Sequence, residues 1–385
     1  QGGTEAGYGA EFSVLASRPP RRIVVAYTEP GSTAAVNLAR GDEILQVDGQ
    51  DAVNGNTQAI VDTLNAGLFP DATGQNHSFL VRDTSGATRT VTMTTQTVTR
   101  VPVPVVTTLA TPSGSVGYIQ FNDHIAIAED DLEDAIDSLG NAGITDLILD
   151  LRYNGGGYLD MASELSYMVA NTTLTAGQTF EKLVFNSKNP TRDPVTGALL
   201  APTPFHSTSQ GFSGDQGRPL PTLNLNRVYI ITGPGTCSAS ESIINGLRGV
   251  NVEVYIIGST TCGKPYGFYP MDNCGTTYFS IQFRGENAKN FGDYSDGFSP
   301  ANQTGVVGTT VPGCSVADDF THELGDPAEG RIAAALAFRA SNNQVCPAPS
   351  GFSEPRLSKA NYGPDEAGGL PVSKPAARAN RIVRY

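Results

Sequence analysis

The chain is poor in the residues that build metal and thiol sites. Its 385 residues include four histidines, at 77, 124, 206 and 322, and five cysteines, at 237, 262, 274, 314 and 346. No two cysteines stand as CxxC, so the usual spacing of zinc ligands is missing. No stretch approaches the ~18 consecutive apolar residues of a spanning helix. Apolar runs such as Val24-Val25-Ala26-Tyr27 have only strand length. There is no GxGxxG and no Walker lysine, which argues against a nucleotide site. Basic residues are outnumbered by acidic ones, 25 to 38, for a net charge of −13. Such a chain repels phosphate backbones and anionic headgroups, so nucleic acid and membrane surfaces are poor partners. The first residue is Gln1 and no signal peptide is seen, as expected of a mature or trimmed form.

What is present is ordinary for a globular protein: 39% hydrophobic and 16% charged residues, with 43 Gly and 25 Pro marking many turns. The length predicts two or three domains. Two disulfides and one free thiol are the simplest account of five cysteines, and they favour an oxidising compartment. The expected pairs are Cys262 with Cys274 and Cys314 with Cys346, although sequence alone does not fix connectivity; Cys237 is then a small buried residue.

Residues 1–100 read as a compact β-rich module. Arg22–Tyr27 is a strand, Thr33–Leu38 a short helix and Gly41–Gly49 a turn–strand–turn. Thr57–Leu64 has helical spacing with Thr57 as its cap, and residues 78–81 and 88–93 flank a hairpin turn. Residues 94–112, rich in Thr, Val and Pro, read as a linker or edge strand. An α/β pattern follows over 101–346: strands at 116–121, 146–151, 227–232, 252–257 and 276–283, and helices at 128–139, 161–169, 240–247 and 331–339. Residues 171–225 carry few regular signals and predict a long loop or lid. Residues 347–385 lack a core pattern and predict an arm or tail.

Three segments carry chemistry. In the first, strand 227–232 and a tight turn lead into Gly235-Thr-Cys-Ser-Ala-Ser-Glu241 at the start of a helix. A serine there projects from the sheet edge, and the helix N-terminus offers N–H groups to an oxyanion. The plainer reading is that Ser238 or Ser240 only caps the helix. Thr261-Cys-Gly-Lys264 follows the next strand, and burial can lower a lysine from ~10.4 toward ~7–8, where it serves as a base. A lone lysine is otherwise a solvated charge. The third segment is Leu147-Ile-Leu-Asp-Leu-Arg-Tyr-Asn-Gly-Gly-Gly157, whose glycines let a backbone N–H approach a ligand closely.

Asp150–Gly157, Ser238–Glu241 and Gly263-Lys264 together resemble the C-terminal processing (tail-specific) serine peptidases. These carry Asp-Leu-Arg-x-Asn-x-Gly-Gly, Ser-Ala-Ser-Glu and Gly-Lys in that order. The resemblance spans most of residues 6–340. It implies a crotonase-like (ββα) peptidase core behind an N-terminal PDZ-like module. Ser238 is then the nucleophile, Lys264 the general base, and the N–H groups of Ala239 and Gly156 (or its neighbour Gly157) the oxyanion donors. Residues 7–10, with Tyr8, Gly9 and Ala10, stand where a PDZ loop holds a peptide carboxylate, and Gly41-Asp42 matches the family's turn; that turn is otherwise only structural. The implied activity is an acyl-enzyme endopeptidase on unstructured or C-terminal segments of extracytoplasmic proteins, with no metal or organic cofactor. Activity should rise from pH ~6 to ~9 as the lysine deprotonates.

One position departs from the family pattern. Phe268 stands where many members carry a lysine-orienting Gln, leaving Gln282 or a carbonyl to hold the amine. His124, beside Asp123, invites a Ser-His-Asp triad but reads better as structural. Ser-x-x-Lys does not occur at Ser238, which excludes the penicillin-recognising class. The competing function is a peptide- or lipid-binding protein on the same fold with the dyad idle.

Overall fold

The computed structural model describes residues 3–269, 271–278, 280–306, 308–350 and 369–372, and the chain divides into two compact units. Most of the expected arm at 347–385 lies outside the described residues.

The first unit joins Gln1–Val101 with Asp319–Glu329. Its antiparallel sheet runs Ala10–Ala16, Arg22–Thr28, Glu43–Val47, Asn76–Arg82, Thr88–Thr94, with Ala10–Ala16 at one edge. Alternation in the last two strands turns Phe79, Val81, Val91 and Met93 inward against Ile23, Val25, Ile44 and Val47. The helix Gln58–Leu68 closes this core with Leu64 and Leu68, and Thr57 caps it by accepting the Ile60 N–H at 3.4 Å.

Asp319–Glu329 falls in the stretch assigned from sequence to the second domain, yet it packs on the first unit. The buried Arg40 donates to the carbonyls of Ala26 (2.6 Å), Asp319 (2.8 Å) and His322 (3.0 Å), and its guanidinium lies over the Phe320 ring. Gly41, at φ +87°, lets the Phe320 carbonyl approach where a Cβ would meet it at 2.2 Å.

The second unit joins Pro102–Asp318 with Gly330–Ser353 and is built on a six-stranded sheet. Its order is Gly313–Ser315, Glu253–Gly258, Arg227–Thr232, Asp146–Asp150, Val116–Gln120, Val105–Leu109, all parallel except the last. The Val/Pro-rich linker thus supplies an antiparallel edge. Both faces are covered, so the inner strands are almost wholly apolar. Ile119, Leu147, Leu149, Val228, Ile230 and Ile256 meet the helices Ala128–Asn141, Leu159–Val169 and Ala239–Gly249. Tyr118, Ile148, Tyr229, Ile231 and Ile257 meet Ile332, Ala335 and Phe338 of the helix Gly330–Ala340. A disulfide ties Cys314, on the edge strand, to Cys346 beyond that helix, as expected.

The stretch 171–225 is more ordered than its sequence implies. Thr179–Phe185 is a strand in a second sheet ordered Thr203–Pro204, Thr179–Phe185, Phe283–Glu286, Tyr266–Gly267. Adjacent Glu181 and Lys182 break the apolar alternation that would have marked it; Lys182 pairs with Glu286 across the sheet at 3.2 Å. The strand expected at 276–283 is split into Thr276–Tyr278 and Phe283–Glu286.

Candidate active site

Three loops leave the carboxyl ends of neighbouring parallel strands, the place where open α/β sheets hold ligands. Asp150–Gly157 follows Asp146–Asp150, the turn to Ser238 follows Arg227–Thr232, and the run to Lys264 follows Glu253–Gly258.

The first loop is held by charge. Arg152, fully buried, pairs with Asp150 at 2.8 Å and with Asp318 at 2.7 Å, and Asp150 also accepts the Tyr118 hydroxyl at 2.8 Å. Asn154 links the loops. Its Oδ1 accepts the Gly156 N–H (2.9 Å) and faces His124 Nδ1 (2.9 Å), and its Nδ2 donates to the Phe121 carbonyl (2.9 Å). Its own carbonyl accepts the Cys237 N–H (3.1 Å) and the Ser240 hydroxyl (3.0 Å). Two donors converge on Oδ1, so His124 carries its proton on Nδ1. Burial holds His124 down at about 3, which makes it a neutral structural group.

Ser238 takes the N-cap position of the helix Ala239–Gly249 with φ +60° and ψ −115°, a backbone a serine adopts only under constraint. Its Oγ is buried and has no hydrogen-bond partner. The turn is a capping box: the Ser238 side chain faces the Glu241 N–H without completing a hydrogen bond, and Glu241 Oε2 accepts the Ser238 N–H at 3.0 Å. Gly156, at φ +96°, lies against this turn: a Cβ there would meet Cys237 O and Ser238 Cβ at 2.8 Å and Ala239 N at 2.9 Å.

Lys264 is half-buried, with its Nζ 5.4 Å from the Phe268 ring centre, so the residue at the family's Gln position faces the amine with an aromatic surface. Gln282 Oε1 accepts the Tyr269 N–H at 2.7 Å. Glu241 reaches the lysine loop as well, taking the N–H groups of Lys264 and Gly263, both at 2.8 Å, and the Thr261 hydroxyl at 2.6 Å. Burial pushes its carboxyl above the usual range against the pull of these donors.

The expected Cys262–Cys274 pair is not formed. Cys262 is bonded to Cys237, with Cα atoms 5.2 Å apart, and Cys274 is free and exposed. Both partners follow adjacent parallel strands, and that register outweighs the shorter sequence separation. Cys237, Glu241 and Cys262 are the one grouping of metal-type donors among the described residues, but the bond consumes both sulfurs.

The three loops sit in one sequence stretch. Residues 115–269 match peptidase family S41. Gly156, Ser238 and Lys264 all lie within this S41 segment. The chain is 27% identical over 244 residues to a carboxyl-terminal-processing protease of Picosynechococcus sp., covering 61% of this chain and 49% of that protein. The chain therefore spans about half the length of that relative. A crystal structure described as that of an S41 protease from Bacteroides fragilis NCTC 9343 superposes with TM-score 0.63 at 22% identity, over 88% of this chain and 84% of that one. That likeness shows a shared fold. The resemblance to C-terminal processing serine peptidases, read from the motifs, stands on these matches.

Sequence reasoning assigned no role to Asn154 or Asp318 and read Cys237 as a small buried residue rather than as the partner of Cys262. Asn154 lay inside the quoted motif and carried a signal. Asp318 is joined to Arg152 only by the fold.

Proposed function

We propose that the chain is a serine endopeptidase acting through an acyl-enzyme. Ser238 Oγ attacks the substrate carbonyl, Lys264 accepts its proton and returns it to the leaving amine, and the Ala239 N–H stabilises the oxyanion. The observation that carries this reading is the Ser238 hydroxyl: buried, unpartnered and poised on strained backbone at a helix N-terminus. The Gly156 N–H is committed to Asn154, so the second oxyanion donor moves to Gly157. Because Ser238 is covered in this conformation, acylation includes an opening step.

The crotonase-like assignment of the core belongs to the same proposal. So does the PDZ-like role of the first unit. In its support, Tyr8, Gly9 and Ala10 lead into the edge strand Ala10–Ala16, beside a groove lined by Phe12, Leu68 and Phe69. An extended peptide tail can add to that edge with its carboxylate on the loop N–H groups. Two disulfides favour extracytoplasmic protein substrates.

One observation favours an idle, ligand-holding site instead: the Lys264 amine lies against the Phe268 ring, where many family members carry an orienting Gln. Cleavage of casein by the wild type, Ser238→Ala and Lys264→Ala, read by mass spectrometry, separates the two. The peptidase reading expects cutting by the wild type and a loss of at least about 10³-fold in both variants. Equal activity in all three would end it.

A further inference from the structure

Arg152 and Asn154 anchor the glycine loop, whereas Glu241 is the side chain that ties the serine turn to the lysine loop. Glu241 is fully buried, and each of its carboxylate oxygens accepts two donors. Oε2 takes the N–H of Ser238 and the N–H of Lys264, so a single atom stands between the two backbones. Oε1 takes Gly263 N–H and Thr261 O–H. Only the Ser238 bond is capping of its own helix; the other three donors belong to a loop from the next strand. Thr261 is fixed in turn, its Oγ1 accepting the Phe298 N–H at 2.8 Å. Gly263, at φ +81°, packs where a Cβ would meet the Ser295 carbonyl at 2.3 Å, so the loop has little room to drift.

We propose that Glu241 is the positioning residue of the peptidase site, setting the register between the Ser238 turn and the Lys264 loop. The disulfide Cys237–Cys262, one residue before the serine and two before the lysine, duplicates that tie covalently. The inference rests on the Ser238/Lys264 reading and adds a group to it that touches neither substrate nor the reacting atoms. Four donors require a group that only accepts. A carboxylate meets this, whereas the isosteric Gln turns an NH2 toward two of them.

The test is Glu241→Gln in the full chain with the disulfide intact, measured for casein-peptide kcat and KM, for melting temperature, and for the rate at which a fluorophosphonate labels Ser238. The expected result is kcat and labelling rate each down about 10²-fold, KM within about twofold, and the melting transition retained. Wild-type kcat and labelling in this variant overturn the proposal, and so does a loss that follows melting alone. If Glu241→Gln does not fold, Thr261→Val removes one donor and should lower kcat severalfold at constant KM; an unchanged kcat overturns the proposal. For the duplicate tie, Cys237→Ala/Cys262→Ala combined with Glu241→Gln should lose more than the product of the separate losses. A combined loss equal to or below that product removes the disulfide from the proposal. A wild type that cuts while Glu241→Gln cuts equally well defeats the positioning role and leaves the dyad; a Ser238→Ala variant as active as wild type defeats both.

Discussion

A methyl group on Gly156 would press on the turn that carries Ser238, the proposed nucleophile, and the backbone there is left-handed. Gly156→Ala is therefore strained twice, by contact and by φ. Its expected effect is a fall in kcat of about 10²-fold or more with the melting transition still cooperative, checked by peptide turnover beside calorimetry. Wild-type turnover would mean that the glycine loop does not face the reacting carbonyl. At this scale the sequence was informative where chemistry restricts residue type. A glycine that must approach a serine, and a serine that must open a helix, leave few alternatives. It was silent where partners come from afar: nothing near Asp318 announces Arg152, and nothing near Cys237 announces Cys262 over Cys274.

The helix Ala128–Asn141 carries Glu129 in its first turn, and Gln210, Gly211, Phe212 and Ser213 all point their N–H groups at that carboxylate. Glu164, on the helix Leu159–Val169, also accepts the Gln210 N–H, at 2.7 Å. Burial, then the bond and charge of Glu129, push Glu164 up to about 9. Burial opposes ionisation of Glu129 too, yet the N–H groups and the Glu164 bond bring it below the usual range. The proton is thus shared as one carboxyl donating to one carboxylate. A raised acid contributes stability below its ordinary pKa and loses it as pH climbs through the raised value. Cutting of the loop 207–218 by an added protease should therefore quicken as pH rises through about 9, and Glu164→Gln should flatten that dependence. A loop equally resistant at pH 7 and 10 in the wild type would contradict the pairing.

Elements such as these helices and the parallel strands were legible because Leu132, Ala135, Ile136 and Leu139 repeat at helical spacing and Leu147–Leu149 form a buried run. Thr179–Phe185 was not legible, since Lys182 in its centre meets its partner Glu286 only after folding. The loop 207–218 is ordered by a carboxylate far away in sequence, which no local pattern records.

At the scale of the molecule, the chain path is the unexpected feature. It leaves the first unit at Val101, builds nearly all of the second, returns for Asp319–Glu329, and departs again. Phe320, a lone aromatic among Asp319, Thr321 and His322, looks like loop in sequence, so the return could not be read there. Arg40→Ala would strand the carbonyls of Ala26, Asp319 and His322, each of which accepts from this buried guanidinium. The expected cost is about 3 kcal/mol, seen by calorimetry as a lower melting temperature for the first unit and little change in the second. Equal shifts in both would argue against two separate cores.

The same return sets an order of events on the ribosome. Residues 1–101 emerge first, but the carbonyls that receive Arg40 emerge more than two hundred residues later. During synthesis the N-terminal sheet waits with a bare guanidinium and an open seat for Phe320, while the second core is already being made. Folding of the unit that holds Arg40 is thus completed only after most of the other unit has been made.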